Sequence, residues 1–153
     1  PLGGRAPDFV ARSTQGEIKL SDFRGRWLIF FSHPADFTPV CTTEFIAFAK
    51  RQADFDALDC ALLGLSVDSL YSHLAWVRAI DEQFGTKIDF PIVEDPSMAV
   101  GRAYGVFNEE CGMDVRSVFL IDAGGIIRYS HVYAPGTIPE SRDLLARLMV
   151  MQA

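Results

Sequence analysis

The sequence predicts an α/β protein with a central mixed β-sheet flanked by helices. Three observations carry that expectation. Apolar runs recur at WLIFFS (27–32), CALLGLSVD (60–68) and SVFLID (117–122), as buried strands require. Stretches with helical spacing separate the first two runs and follow the second, and strands alternating with helices imply a sheet covered on both sides. The last run ends in AGG (123–125) and is followed by IIRYSHVY (126–133), a tight turn and its hairpin partner, so antiparallel pairing joins the parallel pairing.

Taken in order, GEIKLSDF (16–23) alternates weakly and reads as a short strand, and WLIFFS follows as a buried one. From Thr42 the period changes. Phe45, Ile46, Phe48 and Ala49 sit at helical spacing, with polar Lys50, Arg51 and Gln52 after them. After the buried strand 60–68, SLYSHLAWVRAIDEQFG (69–85) reads as an amphipathic helix closed by Gly85, a residue suited to the left-handed position past a helix end. FPIVED (90–95) is a short strand stopped by the turn Asp95-Pro96, and SMAVGRAYG (97–105) a short helix. Residues 137–151 form the last helix, with Thr137 as its cap and Leu144, Leu145 and Leu148 on one face.

A chain of 153 residues, 49% hydrophobic and 22% charged, has the composition of a folded domain, and residues 1–153 read as one such domain. Its longest apolar runs are far shorter than the roughly 20 residues a membrane helix needs, and PLGGRAPDF at the start has no secretory pattern. The net charge of −6 and the scattered Lys and Arg disfavour nucleic acid as a partner. Three cysteines, Cys41, Cys60 and Cys111, make neither a disulfide framework nor paired metal ligands, which points to a reducing cytoplasmic setting and to no metal.

One stretch is chemically dense. HPADFTPVC (33–41) follows a buried strand and precedes a helix, the place where α/β sheets carry their sites. Cys41 falls in the first helical turn, where free N–H groups and the helix dipole favour an anion and so a reactive thiolate. Pro34 stiffens the loop and shields the sulfur. Thr38 brings a hydroxyl that both donates and accepts. Backbone N–H groups at Cys41 point into the same space, where they stabilise charge developing on oxygen. Arg116 is the side chain best suited to hold a thiolate and a departing oxyanion, and Glu44 to hold that arginine.

PADFTPVC (34–41) resembles the PxxxTxxC signature of the peroxiredoxins, and HPADFTPVCTTE resembles their one-cysteine type. GRAPDF (4–9), LGLSVDS (63–69), HLAWVRAI (73–80), FPIVEDPSMAVGRAYGV (90–106) and RSVFLID (116–122) extend the likeness, in order, over nearly the whole chain. The resemblance implies a thioredoxin-like fold and a thiol-dependent peroxidase that reduces hydrogen peroxide and small alkyl hydroperoxides through a sulfenic acid on Cys41. Thr38, the Cys41 backbone and Arg116 would bind the peroxide oxygens, Pro34 would shield the site and Glu44 would orient Arg116. His33 matches a histidine that the one-cysteine type places near the sulfur. The resemblance implies no prosthetic group, an external thiol reductant such as thioredoxin, glutaredoxin or a small thiol, and a homodimer or larger homo-oligomer. The family's C-terminal arm is absent from these residues, and YAPGTIPES (133–141) lacks the Gly-Arg-Asn run common there.

Other readings remain. Cys60 opens a buried strand and reads as packing, whereas Cys111, in the polar NEECGMD, is a candidate partner for Cys41. His73 and His131 read as ordinary surface or helix residues, and Trp76, Phe84 and Phe90 as core or subunit contacts. A cysteine hydrolase would need an orienting partner for His33, and none is evident in the sequence. A redox sensor or chaperone would use an oxidisable Cys41 without turnover. The lack of CxxC argues against a thioredoxin-type disulfide reductase.

Overall fold

The computed structural model describes residues 2–153. The chain begins with a hairpin of β1 (Val10–Ser13) and β2 (Gly16–Lys19), then a 3-10 turn at Leu20–Phe23. Strand β3 (Trp27–Ser32) leads to helices α1 (Pro39–Lys50) and α2 (Gln52–Ala57), followed by β4 (Cys60–Ser66) and α3 (Leu70–Phe84). Then come β5 (Ile92–Glu94), α4 (Ala99–Ala103), the small hairpin β6 (Phe107–Asn108) and β7 (Met113–Asp114), β8 (Ser117–Ile121), β9 (Ile127–Val132) and α5 (Ser141–Gln152). The main sheet has seven strands in the order β2-β1-β5-β4-β3-β8-β9. Strand β3 runs parallel to β4 and antiparallel to β8, so the expected mixed sheet is what forms.

Alternation along the central strands divides the core in two. Ile29, Phe31, Leu62, Val118 and Leu120 face α1, α2, α3 and α5, meeting Phe45, Phe48, Phe55, Trp76 and Leu144. Leu28, Phe30, Leu63, Leu65 and Ile121 face the other way, toward α4 and the N-terminal segment. The rings of Phe31 and Phe48 stack at 4.4 Å and Phe45 lies 4.5 Å from Trp76; each fully buried ring contributes about 1.5–3 kcal/mol. Gly64 permits this packing, because a Cβ there would stand 3.1 Å from the Phe45 ring.

Several boundaries differ from the sequence reading. Residues 16–23 are not one strand: the Asp22 carboxylate accepts the Lys19 N–H at 2.9 Å and turns the chain after Lys19. Helix α1 starts at Pro39 rather than Thr42, since proline fits the first helical position, where its missing N–H costs nothing. The last helix starts at Ser141 rather than 137. Pro139 disfavours helical geometry before it, and the Thr137 hydroxyl donates to the Ala134 carbonyl in a turn instead of capping. The elements β1, α2 and the β6–β7 hairpin were not expected. No helix among the described residues is long and apolar enough to cross a membrane.

Candidate active site

The sheet itself gathers the site. Strand β3 ends at Ser32, and antiparallel β8 begins beside it at Ser117, its register partner. The two hydroxyls lie 2.6 Å apart, and Ser32 Oγ also reaches the Val115 carbonyl at 2.6 Å. His33, just after β3, and Arg116, just before β8, therefore leave the same end of the sheet, which holds residues more than eighty apart in sequence in one place.

The loop after β3 then presents Cys41. Thr38 is the N-cap of α1 with extended backbone, but its side chain makes no capping bond; its Oγ1 donates to the Ala35 carbonyl at 2.8 Å. Pro39 has no N–H to offer. The Val40 and Cys41 N–H groups are thus left without helix partners, at the positive end of the dipole. Cys41 occupies the third helical position, and Arg116 Nη2 lies 3.1 Å from its sulfur. Arg116 Nη1 donates to Glu44 Oε1 one turn along α1. Cys41, Glu44 and Arg116 are all buried. Burial pushes the Glu44 carboxyl up to about 8, against the downward pull of the Arg116 charge. Of the residues the sequence singled out, Cys41, Arg116 and Glu44 are in direct contact, Thr38 caps the same helix, and Pro34 stands half-buried where the loop begins.

His33 is buried just after β3, and its contacts are with Asp36 and two aromatic rings. Its Nε2 pairs with Asp36 Oδ1 at 2.7 Å, so it does have a partner. Its Nδ1 is buried without one, and the ring lies against Phe45 and Trp76. Burial lowers the His33 pKa, and the pull of Asp36 does not offset it. His73, expected as an ordinary surface or helix residue, lies on α3 but is fully buried and bonds Asp36 Oδ2 through Nδ1 at 2.6 Å. A signal for this existed. His73, Trp76 and Ile80 are spaced at 0, +3 and +7, one buried stripe of α3. The Asp36 amide donates to Asp68 Oδ2 at 3.0 Å. His33, Asp36 and Asp68 bring ligand atoms within 4.8 Å of one another, yet these atoms bond to each other and to neighbouring donors, as a hydrogen-bonded cluster does.

The other expectations divide. Cys60 is buried in the core, and burial pushes its thiol up to about 12. Cys111 is exposed on the turn between β6 and β7. Trp76 and Phe90 are core residues, whereas Phe84 is 57% exposed. The group at the Cys41 sulfur is a guanidinium rather than an imidazole, so the local chemistry is anion stabilisation and not proton abstraction by a base.

Comparison with known proteins agrees with this geometry. The model of the AhpC/TSA family matches residues 2–130. Peroxiredoxin 2 of Thermoplasma acidophilum is 49% identical over 148 residues, covering 97% of this chain and 74% of the relative. A peroxiredoxin of Aquifex aeolicus is 50% identical over 151 residues, covering 97% and 68%. Among solved structures, a yeast mitochondrial 1-Cys peroxiredoxin, whose thiol is resolved via glutathione/thioredoxin systems, superposes with a TM-score of 0.93 at 36% identity, covering 99% of this chain and 76% of that one. A reduced 2-Cys peroxiredoxin of Plasmodium vivax gives a TM-score of 0.91 at 30% identity, covering 99% and 81%.

Proposed function

This chain belongs to the AhpC/TSA family and is a peroxiredoxin, a thiol-dependent peroxidase of thioredoxin-like fold, and from that premise we propose that Cys41 is the sulfur that reacts with peroxide. The observation that carries the assignment is the Arg116 guanidinium, which touches both the Cys41 sulfur and the Glu44 carboxylate.

The Cys41 thiolate attacks the terminal oxygen of a hydroperoxide. An S–O bond forms as the O–O bond breaks, the sulfur loses two electrons, and the departing oxyanion takes a proton to leave as water or alcohol. Arg116 and the free N–H groups of Val40 and Cys41 hold that departing charge. Donors fixed in place before the reaction need no reorganisation as it proceeds. The Thr38 hydroxyl positions the peroxide, Pro34 shields the sulfur from water, Glu44 orients Arg116, and His33 stands beside the site. The sulfenic acid left on Cys41 condenses with an external thiol, releasing water, and a second thiol restores the cysteine.

Within these residues, the likeness of HPADFTPVCTTE to the one-cysteine type favours a sulfenic acid that no other cysteine of residues 1–153 resolves. Support comes from Cys60, whose buried thiol is held protonated, and from Cys111, whose place on an exposed turn suits no fixed pairing with a buried sulfur. Thioredoxin, glutaredoxin or a small thiol would supply the electrons, and the scheme calls for no metal, haem or flavin. A homodimer or larger homo-oligomer in the cytoplasm is the setting that goes with this reading, with residues 1–153 acting as one domain. Intact mass after one equivalent of hydrogen peroxide, with a sulfenic-acid trap present, tests the assignment. The expected product is one trap adduct, on Cys41. A disulfide from Cys41 to Cys60 or Cys111 overturns the one-cysteine reading, and no oxidation at Cys41 overturns its role.

A further inference from the structure

The cluster around Asp36 plays no part in the chemistry described so far, yet it is the most heavily bonded point of the active-site loop. The Asp36 carboxylate meets His33 Nε2 at 2.7 Å, His73 Nδ1 at 2.6 Å and Ser72 Oγ at 2.9 Å. Its amide is held by Asp68. Burial pushes the Asp36 carboxyl up, but the hydrogen bonds from His33 and His73 outweigh that and hold it below the ordinary carboxylate range.

The centre of the cluster is closed to solvent. His73 Nε2 lies 2.9 Å from the Val93 carbonyl and its Nδ1 lies against the Asp36 carboxylate, and the His73 and Asp36 side chains are 0% and 1% exposed. A buried polar cluster of this kind is a poor source of stability, because desolvation offsets most of the attraction. Geometry is what such a cluster supplies. This one ties the loop to α3 through His73 and Ser72, and to β5 through the Val93 carbonyl.

The neighbouring residue shows what the geometry is for. Phe37 has φ of +62°, a left-handed conformation that a bulky side chain rarely adopts, and it is 55% exposed, so its own packing does little to hold it there. Such strain persists only where the surroundings over-determine the backbone. Phe37 lies between Asp36, anchored from four sides, and Thr38, the cap of α1. We propose that Asp36, clamped by His33 and His73, is a positioning residue for peroxide reduction: it holds Phe37 in its left-handed turn and so sets where Thr38 and the first N–H groups of α1 stand around the peroxide. The proposal rests on Cys41 being the reacting sulfur.

The test separates the two claims by giving Cys41 two reagents. Single-turnover oxidation by hydrogen peroxide needs Thr38 and the helix N–H groups; alkylation by iodoacetamide needs only an accessible thiolate. In Asp36→Asn and His73→Gln the peroxide rate constant should fall about tenfold to a hundredfold, the loss expected when reacting groups are displaced by an ångström or less, while alkylation changes less than about threefold. Because the two residues act as one unit, the double variant should be no slower than the worse single variant. Adding Phe37→Gly to Asp36→Asn should restore at least about threefold of the rate, since glycine takes the left-handed conformation without strain. Folded variants whose peroxide rates stay within twofold of the parent overturn the proposal, as does an equal loss with both reagents. Should either substitution prevent folding, Ser72→Ala removes one half-buried donor to the same carboxylate and is expected to slow peroxide about threefold; an unchanged rate there overturns the proposal as well. A wrong assignment of Cys41 shows differently: the parent itself would give no peroxide-dependent loss of Cys41 alkylation.

Discussion

Cys41 and Cys60 are equally buried, at 1% and 0% exposure, and both pack in the core cluster beneath α1. Their surroundings assign them opposite chemistry. Cys60 opens β4, and its sulfur donates to the Ala61 carbonyl at 3.5 Å, an acceptor that favours the protonated thiol. Cys41 has Arg116 Nη2 at 3.1 Å and lies in the first turn of a helix whose cap leaves N–H groups unused. At Cys60 burial outweighs the pull of the more distant Arg26 charge, whereas at Cys41 a guanidinium stands in direct contact with the sulfur. The two sulfurs differ in their partners and not in their exposure.

The sharpest way to break that contrast is to remove each sulfur in turn. Cys41→Ser should abolish peroxide reduction and leave the thermal transition close to the parent's. Cys60→Ala should leave the rate constant within about twofold and cost on the order of 1–2 kcal/mol of stability for the lost buried volume, read from denaturant midpoints. Residual turnover in the first variant, or a large loss of rate in the second, would dissolve the distinction.

A milder test keeps both sulfurs and alters only what surrounds Cys41. Thr38→Val preserves shape and deletes the hydroxyl. The second-order rate constant with hydrogen peroxide should fall about tenfold to a thousandfold, as for loss of one positioned hydrogen-bonding group. Alkylation of the thiolate, which does not use the hydroxyl, should stay near the parent value. An unchanged peroxide rate would leave the helix N–H groups and Arg116 as the whole of the peroxide site.

What the sequence made legible follows the same division between local and distant partners. Cys41, Thr38 and Pro34 were readable because their chemistry is written within nine residues that follow a strand and precede a helix. Arg116 and Glu44 were readable once a charged pair was sought for the sulfur, although only the β3–β8 register brings them together. The buried strands were clear because uncharged β-branched and aromatic runs leave few alternatives. Strand β1 and the hairpin β6–β7 were not, since strands of two to four residues carry too little pattern. Asp36 and His73 were missed because each, read alone, is an ordinary polar residue. Their meaning lies in a contact across 37 positions of sequence. His73 at helical spacing from Trp76 was the one local clue that it faced inward.

The smallest expected effect concerns two buried carboxyls, one with a partner and one without, that burial pushes in the same direction. Glu44 is buried with Arg116 beside it. Asp114, at the end of β7, is buried with no hydrogen-bond partner for either oxygen and packs against Gly101, where a Cβ would come within 2.5 Å of its Oδ1. Burial first, then the negative charges of Asp95 and Asp68, push the Asp114 carboxyl up to about 7. A carboxyl whose folded pKa lies above its unfolded value of about 3.9 holds its proton in the native state after the unfolded chain has released it. Its contribution to stability is therefore fully present below pH 4 and is lost as pH rises toward 7. Glu44, raised to about 8, works in the same direction over the window from about 4.3 upward. Asp114→Asn removes the ionisation and keeps the shape. Thermal melts between pH 4 and 8 should then fall less steeply than the parent's, with the variant gaining a few degrees relative to the parent at the alkaline end, at about 2–4 °C per kcal/mol for a chain of this size. Parallel curves would mean that burial does not hold the Asp114 proton in the folded protein.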